Sequence, residues 1–179
     1  MAAGPYKRLA GLAAQIKAGT GLGQVLKTLA QKKESKDAVE AAEANKMFDA
    51  LLGGGQKNLD AALAVKEARP TVALPRLDRL AAQFAGDEIG TKARQEADLL
   101  RKDPKVAKEL EADAALKRLH AFEQGFKAAG GDRSRKSPPF RKANAYGIAE
   151  LLTGCQTLIK RYPGTSAAEK AEALLNDYR

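Results

Sequence analysis

The chain of 179 residues has no tryptophan, one cysteine (Cys155) and one histidine (His120). A single cysteine excludes an internal disulfide, and so few nitrogen and sulfur ligands argue against a dedicated zinc site. No apolar run approaches the roughly 20 residues that a membrane-spanning helix requires. We therefore expect no metal site and no membrane span.

What the chain does contain favours helices. Hydrophobic residues make up 44% of the sequence and charged residues 30%, while aromatic residues make up only 5%. Alanine, leucine, lysine, glutamate and glutamine dominate, and these residues have high helix propensity. The length allows a buried core, so the composition predicts an all-α protein.

Apolar periodicity predicts antiparallel helical hairpins, with about eight or nine helices in a single domain over 1–179. The predicted parts are N-terminal helices over 1–70, a first hairpin over 71–103, a long helix over 104–128, a basic loop over 129–140 and a second hairpin over 141–179. We expect the glycine run 53–55 to stop a helix, because glycine has low helix propensity and is common just after a helix C-terminus. A phosphate-binding loop is disfavoured, because the run lacks the preceding strand and the Gly-Lys-Ser/Thr ending of such a loop. Pro70 is expected to close the next helix, and Pro75 to lie in the first turn of the one that follows.

The helix predicted over 104–128 should be the longest in the chain. Its apolar residues recur at helical spacing and are expected to face inward together: Val106, Leu110, Ala114, Leu116, Leu119, Phe122 and Phe126. The segment GGDRSRKSPPFRKAN that follows is rich in glycine, proline, serine and charge, which predicts a loop. The stretch AAGGDRSRKSPP at its start has no inward-facing apolar pattern.

A shift of 78 residues superimposes two stretches, LPRLDRLAAQFAGDEIGTKARQEADLL (74–100) and LTGCQTLIKRYPGTSAAEKAEALLNDY (152–178). Both stretches predict an apolar helix, an aromatic residue, a glycine corner and a second helix with an alanine facing its neighbour. The matched pairs are Leu77 with Cys155, Phe84 with Tyr162, Gly86 with Gly164, and Ala93 with Ala171. Because all of these are packing positions, Cys155 is expected to be a buried core thiol.

The segment YPGTSAAEKAEALL resembles the second-helix signature of tetratricopeptide (TPR) repeats, especially those of bacterial cell-envelope and lipoprotein-type scaffolds. The matching residues are Tyr162, Pro163, Thr165, Ala168, Ala171 and Leu175. The match covers about 35 residues, and the spacing of 78 departs from the 34-residue period of tandem TPRs. The resemblance implies a TPR-like or irregular α-solenoid that binds proteins, uses no cofactor and resides in the cell envelope more readily than in the cytoplasm.

Two sets of residues are candidate binding sites. The first is a basic cluster that could bind an anionic ligand or nucleic acid weakly, or form only a solvated connector: Arg133, Arg135, Lys136, Arg141 and Lys142. The second is a set of polar residues on first helices that could line a partner groove: Arg76, Arg79, Gln83, Gln156 and Lys160.

No set of residues forms a recognisable catalytic constellation, so we expect a non-enzymatic protein. The favoured function is a bacterial helical scaffold for protein–protein interaction. Two alternatives stay open at this point: a helical accessory domain cut from a larger envelope enzyme, and a basic nucleic-acid-binding module.

Overall fold

A computed structural model of the chain describes residues 6–126 and 135–178. These residues form nine α-helices and no strand, which confirms the predicted all-α fold class. The helices are α1 (Ala10–Ala18), α2 (Leu22–Lys32), α3 (Ala38–Ala64), α4 (Pro70–Gln83), α5 (Glu88–Lys102), α6 (Pro104–Gln124), α7 (Pro138–Ala143), α8 (Ala145–Arg161) and α9 (Ser166–Tyr178). Among these helices, none combines the length and the apolar character needed to cross a membrane.

The chain divides into two compact units, Met1–Lys102 and Asp103–Arg179. The predicted junction between the first hairpin and the long helix lies beside this boundary. Each unit contains one of the two predicted hairpins: α4 with α5 in the first, and α8 with α9 in the second.

The corners of the two hairpins have the same local structure. Gly86 has φ +82° and Gly164 has φ +76°, a left-handed conformation that glycine adopts without a steric penalty. Phe84 and Tyr162, two residues before each glycine, are both buried. The aromatic residue therefore fills the space beneath each backbone reversal, as the sequence predicted.

In the first unit, α3 packs on α2 and α4, and the short helix α1 lies against α2. The Glu43 carboxylate of α3 accepts hydrogen bonds from three consecutive backbone N–H groups, those of Lys7, Arg8 and Leu9, at 2.9–3.1 Å. One side chain thus fixes the backbone segment that leads into α1 against α3.

The prediction that glycines 53–55 stop a helix is wrong. They lie inside α3, which has 27 residues and is longer than α6 with its 21. A Cβ atom at Gly55 would come within 2.7 Å of the Phe84 ring and 2.8 Å of Ile89 Cδ1. This glycine lets α3 approach the α4–α5 corner, so the packing gain offsets its low helix propensity.

The two prolines also differ from their predicted places. Pro70 begins α4, where its missing N–H costs no hydrogen bond, and it does not close the helix before. Pro75 lies inside α4, beyond the first turn.

In the second unit, the core is formed by α6, α8 and α9, and Phe140 of α7 joins it. The predicted loop over 129–140 extends too far toward the C-terminus. Helix α7 already begins at Pro138, with Ser137 as its N-cap. Ser137 Oγ accepts a hydrogen bond from the Phe140 N–H at 3.3 Å. Burial of Phe140 supplies the apolar contact that the loop prediction did not include.

Candidate functional site

Two glycines of α8 bring this helix close to α6. A Cβ atom at Gly154 would lie 2.5 Å from Leu119 Cδ2, and one at Gly147 would lie 2.9 Å from the Phe126 ring. The Tyr162 hydroxyl donates to Glu111 Oε2 at 3.3 Å, near the opposite end of this contact. The start of α6 thus meets the end of α8, so the two helices run antiparallel.

A groove of about 980 Å³ opens along the seam between α6 and α8. We call it the α6–α8 groove. Its lining comprises Glu111, Ala114, Ala115, Arg118, Leu119, Phe122, Ala149, Glu150, Thr153, Gly154, Thr157, Leu158, Arg161 and Tyr162. Small residues and leucines make up much of this surface, so the groove is largely apolar between charged edges.

Phe122 is the most unusual residue of the groove. It was predicted to face the core, yet 42% of its surface is exposed. Its ring makes an edge-to-face contact with Phe126 at 5.5 Å between centroids. That contact fixes the ring's position while one side stays open to solvent, which is how an aromatic anchor of an interface is presented.

The polar groups of the groove are largely satisfied from within the unit. The hydroxyls of Thr153 and Thr157 donate to the carbonyls of the residues four positions earlier, at 2.9 Å each. Their methyl groups can therefore contact an apolar ligand without leaving a donor unpaired. At the edges, the Arg161 guanidinium lies 5.3 Å from the Tyr162 ring centroid, and Arg118 makes no ion pair with the described residues.

Glu123 forms a polar cluster that sequence reasoning missed. Its side chain is only 6% exposed, and it accepts a 2.8 Å hydrogen bond from the Tyr178 hydroxyl. Arg135 Nη2 lies 2.6 Å from the same carboxylate, and His120 Nδ1 lies 3.3 Å from it. Burial, and then the hydrogen bond to Glu123, raise the pKa of Tyr178 to about 12.

The sequence contains one indication that Glu123 is buried, namely its position in the helical repeat of α6. Ala112, Leu116, Leu119 and Phe126 recur at intervals of three and four residues, and Glu123 falls in the same series. Phe122 lies one position outside this series, which places it about 100° around the helix and away from the core.

Both described arginines of the predicted anion-binding cluster have partners inside the protein. Arg135 pairs with Glu123 and with Asp177, the latter at 2.8 Å, and its guanidinium lies 5.3 Å from the Tyr178 ring centroid. Arg141 donates to the Tyr178 carbonyl oxygen at 2.7 Å. These contacts attach the segment after residue 134 to α6 and α9, so this part is not a free connector.

The two lysines of the cluster differ from the two described arginines, because they make no hydrogen bond or ion pair with a described residue. Lys136 and Lys142 are exposed, and Arg133 lies outside the described residues. Anion binding by this cluster stays a prediction, and among its described members it would depend chiefly on the two lysines.

The five residues predicted to line a partner groove are divided between the two units. Arg76 and Arg79 are exposed on α4, while Gln83 is half-buried beside α1. Gln156 and Lys160 are exposed on α8, but the groove is lined by the neighbouring positions of that helix. The role of these five residues in binding stays a prediction.

Chemistry on the cysteine is disfavoured by its surroundings. Cys155 is fully buried, as predicted, and burial together with the negative charge of Glu123 raises the pKa of its thiol. A protonated, inaccessible thiol is a poor nucleophile. Within the described parts of the chain, no group of three or more His, Cys, Asp or Glu side chains could hold a metal ion.

No protein-family model, curated protein or solved structure matches this chain. The resemblance to TPR proteins therefore stays an expectation. The geometry of the α6–α8 groove is the basis for assigning a function.

Proposed function

We propose that the protein is a non-catalytic helical scaffold that binds a polypeptide partner in the α6–α8 groove. The observation that carries this proposal is the half-exposed Phe122 ring at a largely apolar groove of about 980 Å³. Covering apolar surface is worth roughly 25 cal/mol per Å², and aromatic residues at the centre of an interface often dominate its affinity. A partner side chain that packs on Phe122 would gain this free energy.

The shape and chemistry of the groove favour a helical segment of the partner. Two antiparallel helices leave a straight groove between them, and an amphipathic helix can bind with its apolar face in such a groove. Charged residues of both signs stand at the edges, with Glu111 and Arg161 toward one end and Glu150 toward the other. These charges would set the direction of the bound segment more than its affinity.

Two further considerations support a scaffold over the alternatives. The resemblance of residues 162–175 to TPR proteins implies that the chain binds other proteins. Because the similar TPR proteins are scaffolds of the bacterial cell envelope, it also implies a location there. The internal partners of Arg135 and Arg141 leave the basic cluster fewer cations for a nucleic acid. An accessory domain of a larger envelope enzyme would use the same groove in the same way.

The test is partner capture from the native host, followed by affinity measurement with the purified partner. Phe122→Asp puts a charge at the anchor position and should weaken binding by about 2 kcal/mol, roughly thirtyfold. Leu99→Asp is the matched control, because Leu99 is an apolar residue of α5, 62% exposed, that does not line the groove. Equal affinity of the Phe122→Asp variant and the unaltered protein would show that the groove is not the binding site.

A further inference from the structure

The charged residues that line the α6–α8 groove have no ion-pair partner in the described parts of the chain. All of them are exposed, and they comprise Glu111 and Arg118 of α6 and Glu150 and Arg161 of α8. Each of the two carboxylates accepts a hydrogen bond from a neutral tyrosine hydroxyl, which does not neutralise its charge. The groove therefore presents charges of both signs that a partner can neutralise.

The register of α6 against α8 shows where these charges lie along the seam. Glu111 lies level with Tyr162, and Leu119 lies level with Gly154, as their contacts require. Arg161 directly precedes Tyr162, so at a rise of about 1.5 Å per residue it lies at nearly the same level as Glu111. One end of the groove therefore carries a negative charge on α6 and a positive charge on α8.

The other end carries the same charges on exchanged helices. Arg118 stands on the α6 wall one residue before Leu119, and Glu150 stands on the α8 wall four residues before Gly154. The two charges are thus about 7 Å apart along the seam. Followed from the Glu111 end, α6 is negative and then positive, while α8 is positive and then negative.

This pattern makes the groove complementary to a second copy of itself. A two-fold axis parallel to the seam places α6 of one copy over α8 of the other and keeps the two ends in place. Glu111 then faces Arg161 of the second copy, and the same contact forms twice. Arg118 lies near Glu150 of the second copy, and its long side chain can cover the offset between them. Opposite charges at these positions favour this orientation over others.

The same arrangement covers the exposed aromatic ring. Phe122 lies three residues beyond Leu119, so its ring would meet α8 of the second copy between Ala149 and Thr153. Because α6 and α8 are antiparallel, this axis also makes each of them antiparallel to the helix of the second copy that lies over it. The result is an antiparallel four-helix bundle, a stable way of packing helices around a shared apolar core.

A two-fold axis across the seam fits less well. It reverses the ends, so that α6 lies over α6 of the second copy. Centred on the groove, this axis brings the Phe122 ring against the Glu111 carboxylate of the second copy. A carboxylate covered by an aromatic ring loses hydration without gaining a partner, which is unfavourable. The charge pattern and the aromatic ring therefore select the axis parallel to the seam.

The area of this face indicates a weak dimer. The 17 residues of α8 span about 25 Å, and two helices of about 10 Å diameter lie side by side. The face thus measures roughly 500 Å² on each copy, or about 1,000 Å² in total, against about 1,200 Å² or more for stable complexes. We therefore expect a dimer that exchanges with the monomer.

We propose that the polypeptide partner of the α6–α8 groove is a second copy of this chain, bound through reciprocal Glu111–Arg161 pairs in an antiparallel four-helix interface. This inference rests on the proposed function, because it uses the same groove and the same Phe122 anchor. It adds the identity of the partner and the charge pairs that select it.

The experiment is sedimentation velocity of the full chain over a range of concentrations, where the mass should rise from that of the monomer toward twice that value. Glu111→Arg alone and Arg161→Glu alone each place like charges in both reciprocal pairs, so each should weaken association by roughly tenfold or more. Glu172→Arg and Lys170→Glu are the matched controls, because these exposed residues of α9 undergo the same charge changes outside the groove. Both controls should associate like the unaltered chain.

A mixture of the two single variants gives the sharpest result. In the mixed dimer each reciprocal pair again joins opposite charges, so the mixture should associate about as tightly as the unaltered chain, although each variant alone does not. Circular dichroism establishes that each variant is folded. If Glu111→Arg or Arg161→Glu fails to fold, Arg118→Glu and Glu150→Arg repeat the test on the second charge pair.

The inference is overturned by a chain that stays monomeric at all concentrations, or by a dimer that both charge reversals leave intact. Failure of the mixed folded variants to associate overturns it too. In each of these cases, a different protein crosslinked from position 122 in the native host would leave the proposed function standing. The absence of any crosslink from that position would remove the proposed function as well.

Discussion

Tyr178 shows how one residue links the elements of the second unit. It is 2% exposed, its hydroxyl donates to Glu123 of α6, and its ring meets Phe126 edge-to-face at 5.9 Å between centroids. Its backbone carbonyl accepts a hydrogen bond from Arg141. Burial of the hydroxyl, followed by its hydrogen bond to the Glu123 carboxylate and the negative charge of that carboxylate, raises the pKa of Tyr178 to about 12.

This raised pKa predicts a loss of stability at high pH. Tyrosine in the unfolded chain has a pKa of about 10, so the folded protein holds the proton more tightly. The resulting contribution is complete below pH 10 and is lost as the pH rises through about 12. Urea unfolding at pH 9 and pH 12 should show that the unaltered protein loses about 2 kcal/mol more than Tyr178→Phe does. Equal losses would mean that Tyr178 is not held by Glu123.

At the residue scale, apolar pattern predicted the core better than it predicted the functional surface. The burial of Cys155 and Tyr162 follows from helical spacing, and both residues are buried. The same reasoning placed Phe122 inside because it followed apolar residues alone, and for that reason it did not consider Glu123. Which of two neighbouring residues faces inward depends on exact helical phase and on distant partners such as Tyr178, which a single sequence does not display.

At the scale of elements, α3 owes its length to contacts made far along the chain. Three consecutive glycines have low intrinsic helix propensity, and on that basis a break was predicted. The helix continues because Gly55 packs against Phe84 and Ile89 of the α4–α5 corner. By contrast, the two hairpin corners depend on local glycine chemistry at Gly86 and Gly164, so the sequence alone located them.

Two glycines of α3 that lie two residues apart should respond in opposite ways to the same substitution. Gly55→Ala forces a methyl group against the Phe84 ring, and we expect a loss of about 1–3 kcal/mol in the free energy of unfolding. Gly53→Ala meets no neighbour and should raise stability by about 0.5–1 kcal/mol through helix propensity. Urea denaturation of both variants measures these changes. A stabilising effect at both positions would contradict the close approach of α3 to the corner.

At the scale of the whole molecule, each unit buries its own apolar residues. The core that contains Leu116, Phe140, Cys155 and Tyr178 is drawn entirely from the second unit. Every described residue that lines the α6–α8 groove likewise belongs to that unit. The sequence predicted one domain over 1–179 and could place its helices, but the grouping of helices into units depends on long-range packing.

We therefore predict that the fragment 103–179 folds without the first unit. It retains the complete core and should show a helical circular dichroism spectrum with a cooperative thermal transition. Small domains are marginally stable, so the melting temperature of the fragment measures how much of the stability of this core is independent of the first unit. A non-cooperative melt would show that the first unit is required for folding.

The central claim, that a polypeptide partner lies on the α6–α8 groove, is tested most directly by site-specific photocrosslinking in the native host. A photoreactive phenylalanine analogue is introduced in place of Phe122 and, in a separate variant, in place of Leu99. The account predicts a discrete crosslinked protein from position 122 that is absent from position 99, and mass spectrometry identifies it. No crosslink from position 122, or the same product from both positions, would contradict the account.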